Sequence, residues 1–309
     1  MTRLAARRSS TCAPSALHPA EGPAAWSSSL TISRQVRRGK HGHLFRSSSS
    51  RAQLFKQVAI DLFKCPASND LIVSAESVRP VFVHGNLWIG DGDLDEHRLN
   101  EWATYSRVGA TNWLNLHFAP TASSLAEVES LDERRCLALA RAGTELEELV
   151  RRYSRRRLAV ENVPWERRSD YPIDRVAIDP VALSRIVEEH EIGFILDLAH
   201  VRLAAMELEC DPWDLLDHYP CRRIVELHVA GIAPDDEGRL RDSMPLADAD
   251  WSIVQGALDR IADGRWRAPS VVVLEYGGEG EHFAWRTDRE AIVSQVERLR
   301  HELERRSLG

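Results

Sequence analysis

Gly193-Phe-Ile-Leu-Asp-Leu-Ala-His200 is apolar until it meets a carboxylate and an imidazole. An unbroken apolar run suits a strand covered on both faces, and such strands belong to parallel sheets wrapped in helices. Six further runs have the same character: 57–64, 80–85, 111–118, 157–163, 223–230 and 270–276. Between them the spacing predicts helices over 94–108 (with Asp93 as N-cap), 125–152, 180–190, 251–261 and 287–305. Strands alternating with helices predict an α/β fold, a (β/α)8 TIM-type barrel. Seven strands are clear where eight are needed, so the first is expected to be irregular or missing. Leu30–Val36 is the one candidate for it.

The chain has 309 residues, ordinary for one such barrel, and 43% of them are hydrophobic, enough for a sizeable core. No apolar run approaches the roughly 18–20 residues of a membrane helix. The cysteines at 12, 65, 136, 210 and 221 form no CxxC pair, which argues against a disulfide framework and fits a reducing, cytoplasmic setting. Charge is unevenly distributed. Residues 1–51 carry nine Lys/Arg against Glu21 alone, leaving 31 Lys/Arg against 46 Asp/Glu in the rest. We read 1–51 as a disordered basic Ser/Arg-rich tail, with a transit peptide as the alternative, and 52–309 as the catalytic domain. An acidic body is poorly suited to nucleic acid, and no membrane association is expected.

Polar residues gather where the strands end: His84, His117, Glu161, Asp197, His200, His228 and Glu275. In a barrel of parallel strands these ends open on one face. Period-2 alternation sends Asn115 inward with His117, and Glu226 inward with His228, each one layer below, where it can orient an imidazole. His200 reaches the mouth only if the chain turns after Asp197. Imidazoles and carboxylates together suit a borderline divalent ion, Fe, Mn or Zn, whereas carboxylates alone would suit Mg or Ca. One ion or two can be held, with Glu161 shared between them. Lys64 and Cys65 end a strand and can face a substrate, and Trp88 and Trp165 can wall the pocket.

The stretches Val83-His-Gly85, Asn115-Leu-His117, Val160-Glu-Asn162, Asp197-Leu-Ala-His200, Glu226-Leu-His-Val-Ala-Gly231 and Leu274-Glu275 resemble the xylose-isomerase-like TIM-barrel superfamily over about residues 55–300. Three branches compete. Sugar isomerases and epimerases hold one Mn-type ion with a quartet that Glu161, Asp197, His228 and Glu275 resemble, and the first and last carboxylates would move the proton. The endonuclease IV pattern adds two early histidines, as His84 and His117, and a DxxH, as Asp197 and His200. The multinuclear iron oxidases of peptide natural-product biosynthesis, the methanobactin-oxidase type, share that set and work on Cys-containing peptides with a partner protein. Where the trinuclear pattern has Asp-x-His, this chain has Asp242-Ser-Met244. Asp242 can ligate, but a thioether is a poor ligand for these ions.

The resemblance therefore implies a metal-dependent enzyme nearest the iron oxidases. The metal ligands would be His84, His117, Glu161, Asp197, His200, His228, Asp242 and Glu275, with Glu161 and Glu275 catalytic. The substrate would be a small molecule or a peptide, and a partner protein is possible. A sugar isomerase or epimerase is the second reading, and a non-enzymatic metal- or partner-binding barrel the third. Substrate choice rests with the loops at about 86–93, 164–178 and 232–247. There Arg239 and Arg241 can meet an anionic substrate or simply be solvated.

Overall fold

The apolar runs become strands, each shorter than the run that predicted it. A computed structural model of the protein describes residues 29–33, 58–105, 110, 112–165, 172–276 and 287–308. In chain order the strands are β1 (Ser29–Ser33), β2 (Leu62–Pro66), β3 (Val81–His84), β4 (Leu87–Ile89), β5 (Leu114–Phe118), β6 (Leu158–Glu161), β7 (Gly193–Asp197), β8 (Ile224–Val229), β9 (Gly231–Pro234), β10 (Leu240–Met244) and β11 (Val271–Leu274). The helices are α1 (Asn69–Glu76), α2 (Glu96–Tyr105), α3 (Leu131–Tyr153), α4 (Pro180–Glu189), α5 (Leu198–Leu208), α6 (Pro212–Leu216), α7 (Asp248–Ala262) and α8 (Arg289–Arg305). Among the described residues no helix is long and apolar enough to cross a membrane.

Nine strands form one sheet in the order β3-β2-β1-β11-β8-β7-β6-β5-β4. All its described pairings are parallel except those of β1, which runs antiparallel to both β2 and β11. The two strands at the ends of this order, β3 and β4, are joined by Gly85-Asn86 alone. Among the described residues no ladder pairs them, but the short link joins the two edges of the sheet, consistent with a TIM-type barrel. β1 overlaps Leu30–Val36, within the segment read as a tail, and it is the irregular strand of the ring. The rest of residues 1–57 lies outside the described residues, as does His282.

Period-2 alternation sorts the strand residues into two layers. Leu62, Phe82, Trp113, Ala159, Ile195, Val271 and Val273 form one small cluster inside the curved sheet. Their neighbours in sequence, such as Phe63, Val81, Leu114, Val160, Phe194 and Val272, belong to the larger core under the helices. This double burial is why the strands read as continuous apolar runs rather than as alternation. Two steps further along the same inward face come Lys64, His84, Asn115, Glu161, Asp197 and Glu275.

Caps set the helix boundaries where they differ from the expected ones. α2 starts later than Asp93 would allow, because Asp95 accepts from the backbone N–H of Arg98 at 3.0 Å. α3 starts at Leu131 rather than 125. The Ser130 hydroxyl accepts from Glu133 N at 3.2 Å and donates to the Glu133 carboxylate at 2.9 Å. α5, a helix the spacing did not predict, begins immediately after β7. Asp197 caps it, accepting from His200 N at 2.8 Å.

Candidate metal centre

Strand register puts the polar residues at one depth. His117 lies opposite Glu161, Asp197 opposite His228, and His228 opposite Val273, two residues before Glu275. The cluster lies deep at the floor of a cleft: Asp197 and His228 are 0% exposed and Glu161, which lines the cleft, is 1% exposed. Nε2 of His84 and Nε2 of His117 each stand 3.2 Å from Glu161 Oε2. Nδ1 of His228 is 3.2 Å from Glu161 Oε1, 3.6 Å from Asp197 Oδ2 and 3.2 Å from Glu275 Oε1.

Each of three imidazoles is held by one nitrogen, which aims the other. The Asn115 amide bonds Nδ1 of His84 at 2.8 Å. Nε2–H of His228 donates to Glu226 Oε1 at 2.6 Å, and the other oxygen of Glu226 accepts from the Trp113 indole at 2.9 Å. Nδ1–H of His200 donates to the Asn162 carbonyl at 2.8 Å, leaving Nε2 2.9 Å from Asp242. Such partners fix the tautomer and the ring plane of a metal-binding histidine. The turn after Asp197 does bring His200 over the mouth, as the first turn of α5.

Electrostatics point the same way. Burial pushes His228 and His200 down, but the surrounding carboxylates override it, to about 10 for His228 and about 9 for His200. Burial also opposes ionisation of Glu161, yet His228, His117 and His84 hold its carboxyl well below the usual range. His84 is driven far down by burial and by Lys64. Several carboxylates buried together need positive charge among them.

Lys64 supplies one such charge. It pairs with Glu275, stands 3.5 Å from Nδ1 of His228, and lines the cleft with Glu275. Burial lowers its pKa. The oxygens Glu161 Oε2 and Asp197 Oδ2 are buried and receive no hydrogen bond among the described residues, as expected of atoms shaped to meet a cation. Three sets have donor atoms close enough to share an ion: His84, His117 and Glu161; Glu161, Asp197 and His228; and His84, Glu226 and His228. The residues therefore fit a metal ion, and Glu161 is common to two of the sets.

All eight sequence-derived candidates come together, though unequally. Asp242 sits at the rim, one-third exposed, and reaches the cluster through His200. It is carried by the hairpin of β9 and β10, whose start depends on Gly231: a Cβ there would overlap the Pro245 carbonyl. Met244 pairs with Gly231 in that hairpin. Arg239 and Arg241 both turn to Asp235, at 3.2 and 3.0 Å. Trp88 lines the cleft with Val163, Pro164 and Ile173, whereas Trp165 donates to the Ile173 carbonyl and packs against the main core. Cys65 is wholly buried.

Asn162 is the residue that sequence reasoning passed over. Its amide donates to the Asp197 carbonyl at 2.9 Å and accepts from Asp197 N at 2.8 Å, so it pins a candidate ligand by its backbone. The signal was its place beside Glu161, but nothing in the spacing names its partner.

No curated protein matches the chain. Residues 59–268, more than half of it, match the family described as RiPP precursor modification enzyme MbnB/TglH/ChrH. That span runs from the start of β2 to the approach to β11 and takes in every candidate ligand except Glu275. The chain belongs to this family, in the iron-oxidase branch of the xylose-isomerase-like barrels.

Proposed function

We propose that the protein is a multinuclear iron oxidase-like enzyme that modifies a ribosomally made precursor peptide, with residues 52–309 as its catalytic domain. One observation carries the reading: two donor sets meet on the Glu161 carboxylate. His84 and His117 with Glu161 would hold one ion. Asp197, His228 and Glu275 with the other oxygen of Glu161 would hold a second. His200 and Asp242 form an outer pair, and with Met244 two residues on from Asp242, where the trinuclear pattern has an imidazole, a third ion would be weakly held. Iron suits this mixed nitrogen and oxygen set, as manganese or zinc also would. Bound iron would supply Lewis acidity and one-electron redox chemistry.

The chain's own residues do the rest. Glu226, Asn115 and Asn162 keep their partners from turning. Trp88, Val163 and Ile173 give the cleft an apolar wall that excludes water from a bound peptide segment. Glu275, 6% exposed and tied to Lys64, is the carboxylate placed to take a proton from a substrate at the cleft. A Cys-containing peptide fits the branch, and a partner protein presenting it is part of this proposal.

The test is metal per chain after purification without added metal, followed by incubation with the precursor peptide and mass spectrometry. Two irons and a mass change that needs oxygen support the reading. One manganese, no iron and turnover of an aldose or ketose would replace it with the isomerase reading, which the convergence of Glu161, Asp197, His228 and Glu275 also permits. Full biological activity in both Glu161→Gln and Glu275→Gln would point instead to a barrel that only binds.

A further inference from the structure

A second cavity, of about 580 Å³, opens at the opposite end of the barrel, where the strands begin. Trp113 and Val225 contribute its apolar floor, and Arg155, Arg156, Arg223 and Arg267 ring it. The arginines come from three separate places: the turn after α3, the turn into β8 and the approach to β11. Elsewhere in this acidic body guanidiniums find carboxylates, as Arg134 finds Asp174, Arg185 finds Glu189 and Arg241 finds Asp235. Among the described residues none of the four ring arginines has such a partner. The carboxylate that shares the cavity, Glu191, is exposed and in no described ion pair.

Four like charges gathered around one hollow repel each other, and an anion in the hollow relieves them. The planar fork of a guanidinium matches phosphate oxygens two at a time. The volume lies within the roughly 300–1,000 Å³ of small-molecule sites, and an apolar floor under a cationic rim suits a ligand with an apolar body and a charged head. We propose that this cavity binds a small phosphate-bearing molecule with a flat apolar body. The site is separate from the metal centre. Trp113, just before β5, is four residues from His117, about 13 Å at strand rise.

The probe is 1-naphthyl phosphate, titrated calorimetrically into the protein as purified with its metal. Inorganic phosphate, 1-naphthol and hexaglutamate serve as comparisons. The expected result is saturable one-to-one binding of the naphthyl phosphate, weaker binding of inorganic phosphate and none of naphthol. Arg155→Ala/Arg156→Ala and Arg223→Ala/Arg267→Ala should each weaken binding at least tenfold, and Arg185→Ala should not. Arg155, Arg156 and Arg267 are exposed, so metal content and circular dichroism should survive their loss. Absence of binding to the unaltered protein overturns the proposal. So does binding that both double variants retain, which would place the phosphate on the metal. Hexaglutamate displacing the naphthyl phosphate would make the cavity an acidic-peptide site and overturn it as well.

Discussion

Replacing Asn162 with alanine tests how Asp197 is held. The change removes two hydrogen bonds, at 2.9 and 2.8 Å, from a backbone that is wholly buried. The N–H and C=O of Asp197 would both be left without these partners. A buried polar group stripped of its partner costs about 1–3 kcal/mol, so the pair should cost about 2–6 kcal/mol. Against a total stability of about 5–15 kcal/mol that is a large share. Removing a group that orients a ligand typically lowers metal affinity about 10–100-fold. Urea unfolding of chelated protein reads the first effect, and competition with a chelator dye reads the second. Asn162→Asp keeps an acceptor for Asp197 N but loses the donor to its carbonyl, and should fall between. If alanine costs under about 0.5 kcal/mol and leaves metal affinity unchanged, the reasoning about Asp197 is wrong.

Three shorter predictions follow from other contacts. Lys64→Met takes an ammonium away from Glu275 and His228, so metal should bind at least about tenfold tighter in chelator competition, while Lys64→Arg should not show the gain. Unchanged affinity in the methionine variant would show that Lys64 leaves the site when metal enters. Gly231→Ala forces a methyl against the Pro245 carbonyl and should cost about 2–4 kcal/mol in urea unfolding, where a cost near zero would mean that the hairpin shifts freely. In native protein a maleimide should label exposed Cys136 quickly. It should spare Cys65 and Cys221, both buried, with the Cys221 thiol pushed up by burial to about 12; rapid labelling of Cys221 would contradict its packing.

Much of the metal cluster could be read from the sequence because each strand is apolar up to its last residue. Ile195 and Leu196 leave no doubt about burial, and a carboxylate that follows them has nowhere to go but the barrel mouth. Helix ends were less legible. Asp93 and Asp95 are chemically alike, and only the hydrogen bond to Arg98 N separates them. β1 escaped a firm assignment because Ser-Leu-Thr-Ile-Ser has no long apolar run and runs antiparallel to its neighbours, where alternation with helices implied parallel strands throughout. Lys64 lines the cleft, as its place at a strand end suggested, but its pairing with Glu275 depends on two strands that meet only through the ring. Asn162 went unread for the same reason, since it acts on a strand, β7, far along the chain, where its partner Asp197 lies 35 residues away.

Histidines and carboxylates at the ends of six strands are proposed to hold two cations that share Glu161. Anomalous scattering from crystals grown with the native metal tests it most directly. The account predicts two peaks, one beside His84 and His117 and one beside Asp197 and His228, with the Glu161 carboxylate between them. A single peak, or metal bound away from these side chains, would contradict it.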